Sequence, residues 1–340
     1  MVSLDIVQAS NARIKSDLPS GLVAVFIGAT SGIGEATPKH FVKHAAKPRV
    51  YFTGRRRDVG LRVQAELQQL NPGGEYFYLQ HDSSLLRNVD ALCRDIRDRE
   101  DVVNLLCITM GTLRSGTTTE EGLHYAMALS YYCRMRFVVN LLPLIRKANA
   151  LRRVITVFAD TKEGTVYPSD FPAFKLSLTK ARGHIASMIT LALEHLSKHA
   201  PEVSFIHDYP GFVKTELARE LDKSLTTSVV LGVLGVVGLF LNTSIEEVGE
   251  RHYFLATSAM FPPQQSGGAS GVSLSSGHLR VAVSTDGKTG GGVYTVDNKN
   301  EPGSQEVRDI LAEMRKDGIA DQAWKHLETE FLRVTGSTSI

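Results

Sequence analysis

The stretch 22-LVAVFIGATSGIGEA-36 runs an apolar segment into Gly28, Gly32 and Gly34, a spacing suited to holding phosphate. A tight turn here needs glycine conformations, and a pyrophosphate needs close backbone approach. The helix beyond it offers its free N–H groups to the anion. Thr30 and Ser31 add hydroxyl donors, so the candidate cradle is Gly28, Thr30, Ser31, Gly32, Ile33 and Gly34. A second segment, 51-YFTGRRRD-58, ends in arginines where an acidic residue would accept the ribose hydroxyls of NAD. Guanidinium groups suit a 2′-phosphate, which favours NADP(H), with Arg55 and Arg56 the expected contacts.

Proton chemistry has fewer candidates. Asp160 closes 153-RVITVFAD-160. That is the carboxyl end of a predicted central strand, where such folds place ligands, and a desolvated carboxyl there can serve as general acid or base. A loop cap is the plainer role for the same residue. Tyr167 lies in the loop after that strand, and Lys175, Tyr131, Tyr132 and Arg134 are weaker candidates. His40/His44 and His195/His199 have helical i,i+4 spacing but no third ligand, so they read as solvated helix faces and no metal is expected. His184 reads as a satisfied histidine. The chain has no Gly-x-Ser-x-Gly elbow, which leaves a hydrolase without support.

These residues must be positioned by alternating elements. The spacing predicts strands at 22–28, 49–54, 75–82, 102–111, 153–159 and 203–211, mostly continuous apolar runs, as strands covered on both faces require. Helical patterns at 33–45, 60–70 and 178–199 lie between them, which argues for a parallel, doubly wound α/β sheet of the Rossmann type. Further on come a helix at 244–257, a Gly/Ser-rich surface loop at 265–277, a strand at 292–297 and helices at 304–318 and 320–334. The apolar segment 229-VVLGVLGVVGLFL-241 is too short to span a bilayer and reads as a lid or buried helix, with a monotopic membrane or lipid contact as the alternative. We expect one domain: a lead-in at 1–21, a nucleotide-binding core at 22–217, and a lid and substrate region with the last strand and helices at 218–340.

Composition narrows the partners. The 38 Lys+Arg nearly balance 36 Asp+Glu, giving a formal charge of +2, so nothing points to nucleic acid or an anionic membrane. Cys93, Cys107 and Cys133 have neither disulfide nor metal spacing and read as reduced and buried, in keeping with a cytoplasmic protein. No signal peptide or membrane-spanning run is found, so no stable membrane insertion is expected. Self-association as a homo-oligomer stays open.

The loop Gly28-x-x-x-Gly32-Ile33-Gly34, Asp82 after the third strand, Gly111 after the fourth and 209-YPGFVKTEL-217 resemble the short-chain dehydrogenase/reductase family over residues 22 to 217. The long form looks most like divergent fungal members of secondary metabolism. The resemblance implies that Asp82 meets the adenine, and that Pro210, Gly211, Val213 and Thr215 line the nicotinamide and its phosphates. It also implies a Tyr-x-x-x-Lys pair, of which 172-PAFKLSLTKARGH-184 keeps Lys180 and has Leu176 in place of tyrosine. The family's Asn-Asn-Ala-Gly is 108-ITMG-111, the helix asparagine is Ser130, and the catalytic serine falls on Ala159 or Asp160. The activity that the resemblance implies is that of an oxidoreductase of a small carbonyl or alcohol, here expected to use NADP(H). Lys180 is the catalytic group retained from the family pattern, and Asp160, from its place at the strand end, is the expected substitute proton group. A non-redox cyclase or isomerase on the same fold and a catalytically silent NADP(H)-binding protein are the alternatives.

Overall fold

A computed structural model describes residues 2–112, 114–159, 161–211, 213, 243–268, 270–274 and 279–340. The proposed lid segment 229–241 lies outside the described residues, as do Asp160 and Thr215. The strands are β1 Val23–Ile27, β2 Arg49–Gly54, β3 Glu75–Gln80, β4 Leu105–Ile108, β5 Arg153–Val157, β6 Ser204–Asp208 and β7 Val293–Val296. They form one 7-stranded sheet in the order β3-β2-β1-β4-β5-β6-β7, every neighbouring pair parallel. All six strands predicted before residue 215 form, trimmed at their ends, and β7 extends the sheet from the chain's last part.

The helices are α1 Leu4–Ala12, α2 Ile14–Asp17, α3 Gly32–His44, α4 Arg57–Leu70 and α5 Leu86–Arg99. Next, α6 Tyr125–Met127 passes through a π-helical turn, Ala128–Tyr132, into α7 Cys133–Arg146. Then come α8 Leu178–His199, α9 Ile245–Thr257, α10 Gln305–Lys316 and α11 Ile319–Thr335. Alternate residues of β1 enter opposite cores: Val23, Val25 and Ile27 on one side of the sheet, Ala24 and Phe26 on the other. That period of two, with both faces apolar, is why these strands read as unbroken apolar runs.

Two expectations are corrected. His40 is buried rather than solvated: it meets Glu246 at 2.8 Å and Glu250 at 3.2 Å, tying α9 to α3. His195 is half-buried and stacks on Trp324 of α11 at 3.9 Å between ring centres, and burial holds its pKa down to about 4. Local helical spacing makes both pairs look exposed because the helices that cover them are distant in sequence. His184 is satisfied as expected, accepting from the Tyr167 N–H at 3.1 Å and bonding the Phe171 carbonyl at 3.0 Å. The three cysteines are free and buried. Among the described residues no helix is long and apolar enough to cross a membrane, and no group of three His, Cys, Asp or Glu could hold a metal.

Candidate active site

The sheet order reverses between β1 and β4, and the carboxyl ends of the strands flanking that point open into a cavity of about 780 Å³. This is where doubly wound sheets bind ligands. At one end lies the glycine turn. Gly28 sits at φ +83°, and its N–H donates to Thr53 Oγ1 at 3.1 Å. A Cβ on Gly34 would stand 2.1 Å from the Gly28 carbonyl oxygen and 2.5 Å from Thr109 Oγ1, so only glycine lets α3 pack this closely on the turn. The Ser31 side chain caps none of the first amides of α3, and Thr30, Ser31, Gly32, Ile33 and Gly34 all line the cavity. Uncapped helix N–H groups facing a concave space fit an anion such as a pyrophosphate.

The other predicted binding residues divide. Arg55 lines the cavity at the end of β2, whereas Arg56 lies outside the lining and is paired with Asp58 at 2.7 Å. Asp82 lines the cavity, its carboxylate accepting from the Ser84 N–H at 3.0 Å. Gly111 and Pro210 line it as well. Gly211, at φ +75°, packs on Asn298 just beyond the lining, and Val213 lies further out in the same loop.

At the far end, α8 turns Leu178, Ala181, Arg182 and Ile185 toward the cavity, one stripe of a helix at i, i+3, i+4 and i+7. Lys180 is off that stripe and is not among the lining residues; its ammonium lies 5.8 Å from the centre of the Tyr167 ring. Leu176 is partly buried and packs against the core on one side of the sheet. Thus the i,i+4 pairs of α8 that face the cavity are Leu178 with Arg182 and Ala181 with Ile185, and neither is the Leu176 and Lys180 pair expected from the sequence. The Arg182 guanidinium sits 5.3 Å from the Tyr209 ring centre, with Lys162 at 5.9 Å from the same ring.

The floor between β4 and β5 holds Arg134, a weak candidate on sequence grounds. Arg134 is fully buried, and its guanidinium donates to the carbonyls of Ser130 at 3.0 Å, Ile108 at 2.9 Å and Met110, and to Thr156 Oγ1 at 2.6 Å. None of these partners is a carboxylate, and burial lowers its pKa to about 9. Ser130, whose carbonyl accepts from Arg134, lies in the π-helical turn and itself lines the cavity. The one sequence signal for it is an arginine inside the apolar run of α7. The loop after β4 and the start of α6 bring Ser115, His124 and Tyr125 to the wall, none of them singled out for catalysis from the sequence.

A parallel sheet whose switch point carries a glycine-cradled helix end is a Rossmann-like dinucleotide-binding fold, and the chain belongs to the short-chain dehydrogenase/reductase family. The family model for short chain dehydrogenase matches residues 22–167. Oxidoreductase AN1596 of Emericella nidulans is 38% identical over 334 residues, covering 97% of this chain and 98% of that protein. Oxidoreductase andH of Emericella variicolor is 35% identical, with 99% of each chain covered. Short-chain dehydrogenase/reductase SAT2 of Stachybotrys chartarum is 29% identical over 96% of each. Among solved structures, L-sorbose reductase from Gluconobacter frateurii, complexed with NADPH and L-sorbose, superposes with a TM-score of 0.54 at 20% identity, covering 75% of this chain and 94% of that one. That likeness shows the fold.

Proposed function

We propose that this protein is an NADP(H)-dependent dehydrogenase/reductase acting on a carbonyl or alcohol of a small molecule of fungal secondary metabolism. The observation that carries the reading is the division of one cavity. The α3 amides and Arg55 stand at one end, and the apolar walls Leu129, Phe158, Leu178 and Ile185 at the other. In this reading the glycine turn holds the pyrophosphate, Arg55 meets the 2′-phosphate, and Asp82 meets the adenine. Gly111 and Pro210 border the nicotinamide, with Gly211, Val213 and Thr215 next along the chain. When bound, the nicotinamide supplies hydride exchange with the substrate carbon. Arg182 on the wall and Arg134 beneath the floor place positive charge where an alkoxide develops, and Lys180 lies on the same helix, off the cavity-facing stripe. Residues 22–217 act as the nucleotide-binding core, and 218–340 supply the lid and substrate region together with the last strand and helices of the same domain.

Binding of NADPH to full-length protein by calorimetry, in parallel with NADH, tests the cofactor. NADPH is expected to bind more tightly by about 10- to 100-fold, the worth of one charge-assisted contact. Equal affinities overturn the choice of NADP(H). A second reading rests on Leu178 and Ala159, cavity residues that exchange no proton: a cyclase or isomerase in which the pocket alone positions a reactive intermediate. Conversion of a pathway intermediate with no change in NADPH would establish it over the first.

A further inference from the structure

The wall formed by the loop after β4 contains a pair of groups arranged for proton transfer. Ser115 and His124 both line the cavity. Ser115 Oγ lies 3.3 Å from His124 Nε2, and the Gly116 N–H points at the same nitrogen from 3.4 Å. The opposite ring nitrogen, Nδ1, lies 3.1 Å from the Pro172 carbonyl oxygen. A carbonyl only accepts, so Nδ1 carries the ring proton, and Nε2 is the acceptor for the Gly116 amide and the Ser115 hydroxyl. The imidazole is fixed in position as well: it is buried, and the Phe174 ring lies 5.1 Å from it. Ser115 is the more exposed of the two, and so the one better placed to meet a ligand in the cavity.

We infer that Ser115 and His124 form the proton relay of this enzyme, Ser115 as the catalytic group that meets the substrate hydroxyl and His124 as the positioning base behind it. The inference rests on the dehydrogenase/reductase reading and supplies the proton step for which α8 offers leucine. In the oxidising direction the alcohol carbon gives its hydride to the oxidised nicotinamide. Its O–H proton passes to Ser115 Oγ as the Ser115 proton passes to His124 Nε2. The alcohol becomes a carbonyl, and the histidine becomes an imidazolium that later releases the proton to water. Reduction runs the same path backwards and begins from the imidazolium. Burial lowers the His124 pKa from its ordinary 6.5, opposed by the Pro172 carbonyl and by Asp170, the carboxylate on the neighbouring turn. The resting pair is therefore the base form, set for alcohol oxidation through neutral pH.

The test uses full-length enzyme, NADP⁺ and a panel of apolar secondary alcohols: 1-phenylethanol, cyclohexanol and borneol. Ser115→Ala is expected to lower kcat by about 10²- to 10⁴-fold, the range for a positioned acid or base, with NADPH affinity by fluorescence unchanged. Ser115→Thr, which keeps a hydroxyl, should recover much of the rate. His124→Gln should remove the acid limb of the wild-type pH–rate profile, which falls below the ordinary histidine range. Imidazole NMR of ¹⁵N-labelled protein gives a reading without turnover: His124 should be the Nδ1–H tautomer, with an Nε2 resonance that moves in Ser115→Ala. An Nε2–H tautomer overturns the relay. So does turnover that survives intact in Ser115→Ala, which leaves the dehydrogenase reading standing. Failure of wild type to form NADPH from any alcohol sinks that reading and the relay with it.

Discussion

The two ends of the cavity were built by different means. At the nucleotide end the determinants are backbone: the positive φ of Gly28, the missing Cβ of Gly34 and the uncapped amides of α3, all within seven consecutive residues. At the substrate end they are side chains from the loop after β4, the π-helical turn, β5 and α8, brought together only by the sheet. Backbone geometry constrains residue type directly, so it is written locally. Side-chain chemistry can be supplied from any wall that reaches the same point, so a site can lose its tyrosine and still keep proton and charge groups.

The sharpest test of this contrast compares two glycines in the one cavity. Gly34→Val forces a branched side chain against the Gly28 carbonyl and should weaken NADPH binding by about 100-fold, since overpacking on fixed backbone costs ~3 kcal/mol. At Gly111 a Cβ would meet nothing within 4 Å, so Gly111→Ala should leave folding unchanged. Fluorescence titration of NADPH and thermal melts of both variants provide the reading. Similar behaviour of the two would break the claim that close backbone approach defines this end.

At the substrate end, Arg134→Met should destabilise the fold by about 3 kcal/mol, because the carbonyls of Ser130, Ile108 and Met110 lose a donor in a buried site. Urea unfolding measures it. A loss under about 1 kcal/mol would mean that water replaces the guanidinium, since an unmet buried carbonyl costs more than that. Back at the nucleotide end stands the arginine run. Arg55→Ala should weaken NADPH by about 1.5 to 3 kcal/mol and spare NADH, while Arg56→Ala, whose guanidinium is engaged by Asp58, should change little. Equal losses from both substitutions would return Arg56 to the phosphate site.

The same contrast explains what was legible in the sequence. The sheet was legible because its strands, covered on both faces, could only be unbroken apolar runs, and the glycine turn because each glycine answers a steric demand within a few residues. The position of Lys180 was not. Its distance from the strand before it does not fix the phase of α8, which turns Leu178 with Arg182 and Ala181 with Ile185 to the cavity rather than Leu176 with Lys180. His124 was invisible for another reason: its tautomer depends on the Pro172 carbonyl, which the fold brings from 48 residues away. His40 looks solvated in sequence because its carboxylate partners lie 206 residues or more along the chain.

That histidine yields the smallest expected effect, and one that joins the nucleotide end to the chain's last third. Burial alone would lower the His40 pKa, but hydrogen bonds and attraction from Glu250 and Glu246 outweigh it and the net shift is upward. Glu250 is driven down to about 2, first by its bond with His40. A histidine raised in the folded state stabilises fully below its unfolded value of 6.5, and the effect drains as pH climbs through the folded pKa. A lowered carboxylate stabilises above its unfolded 4.5, and this is lost only in strong acid. The cluster therefore contributes most between those two values and weakens on the alkaline side. With Glu246 largely exposed, the contribution should be about 1 kcal/mol. The difference in unfolding free energy between wild type and His40→Gln should shrink toward zero as pH rises from mildly acidic into the alkaline range. A difference that stays flat across that range would show that His40 holds α9 on α3 by packing alone, and that the nucleotide-binding helix and the substrate-side region are not joined by charge.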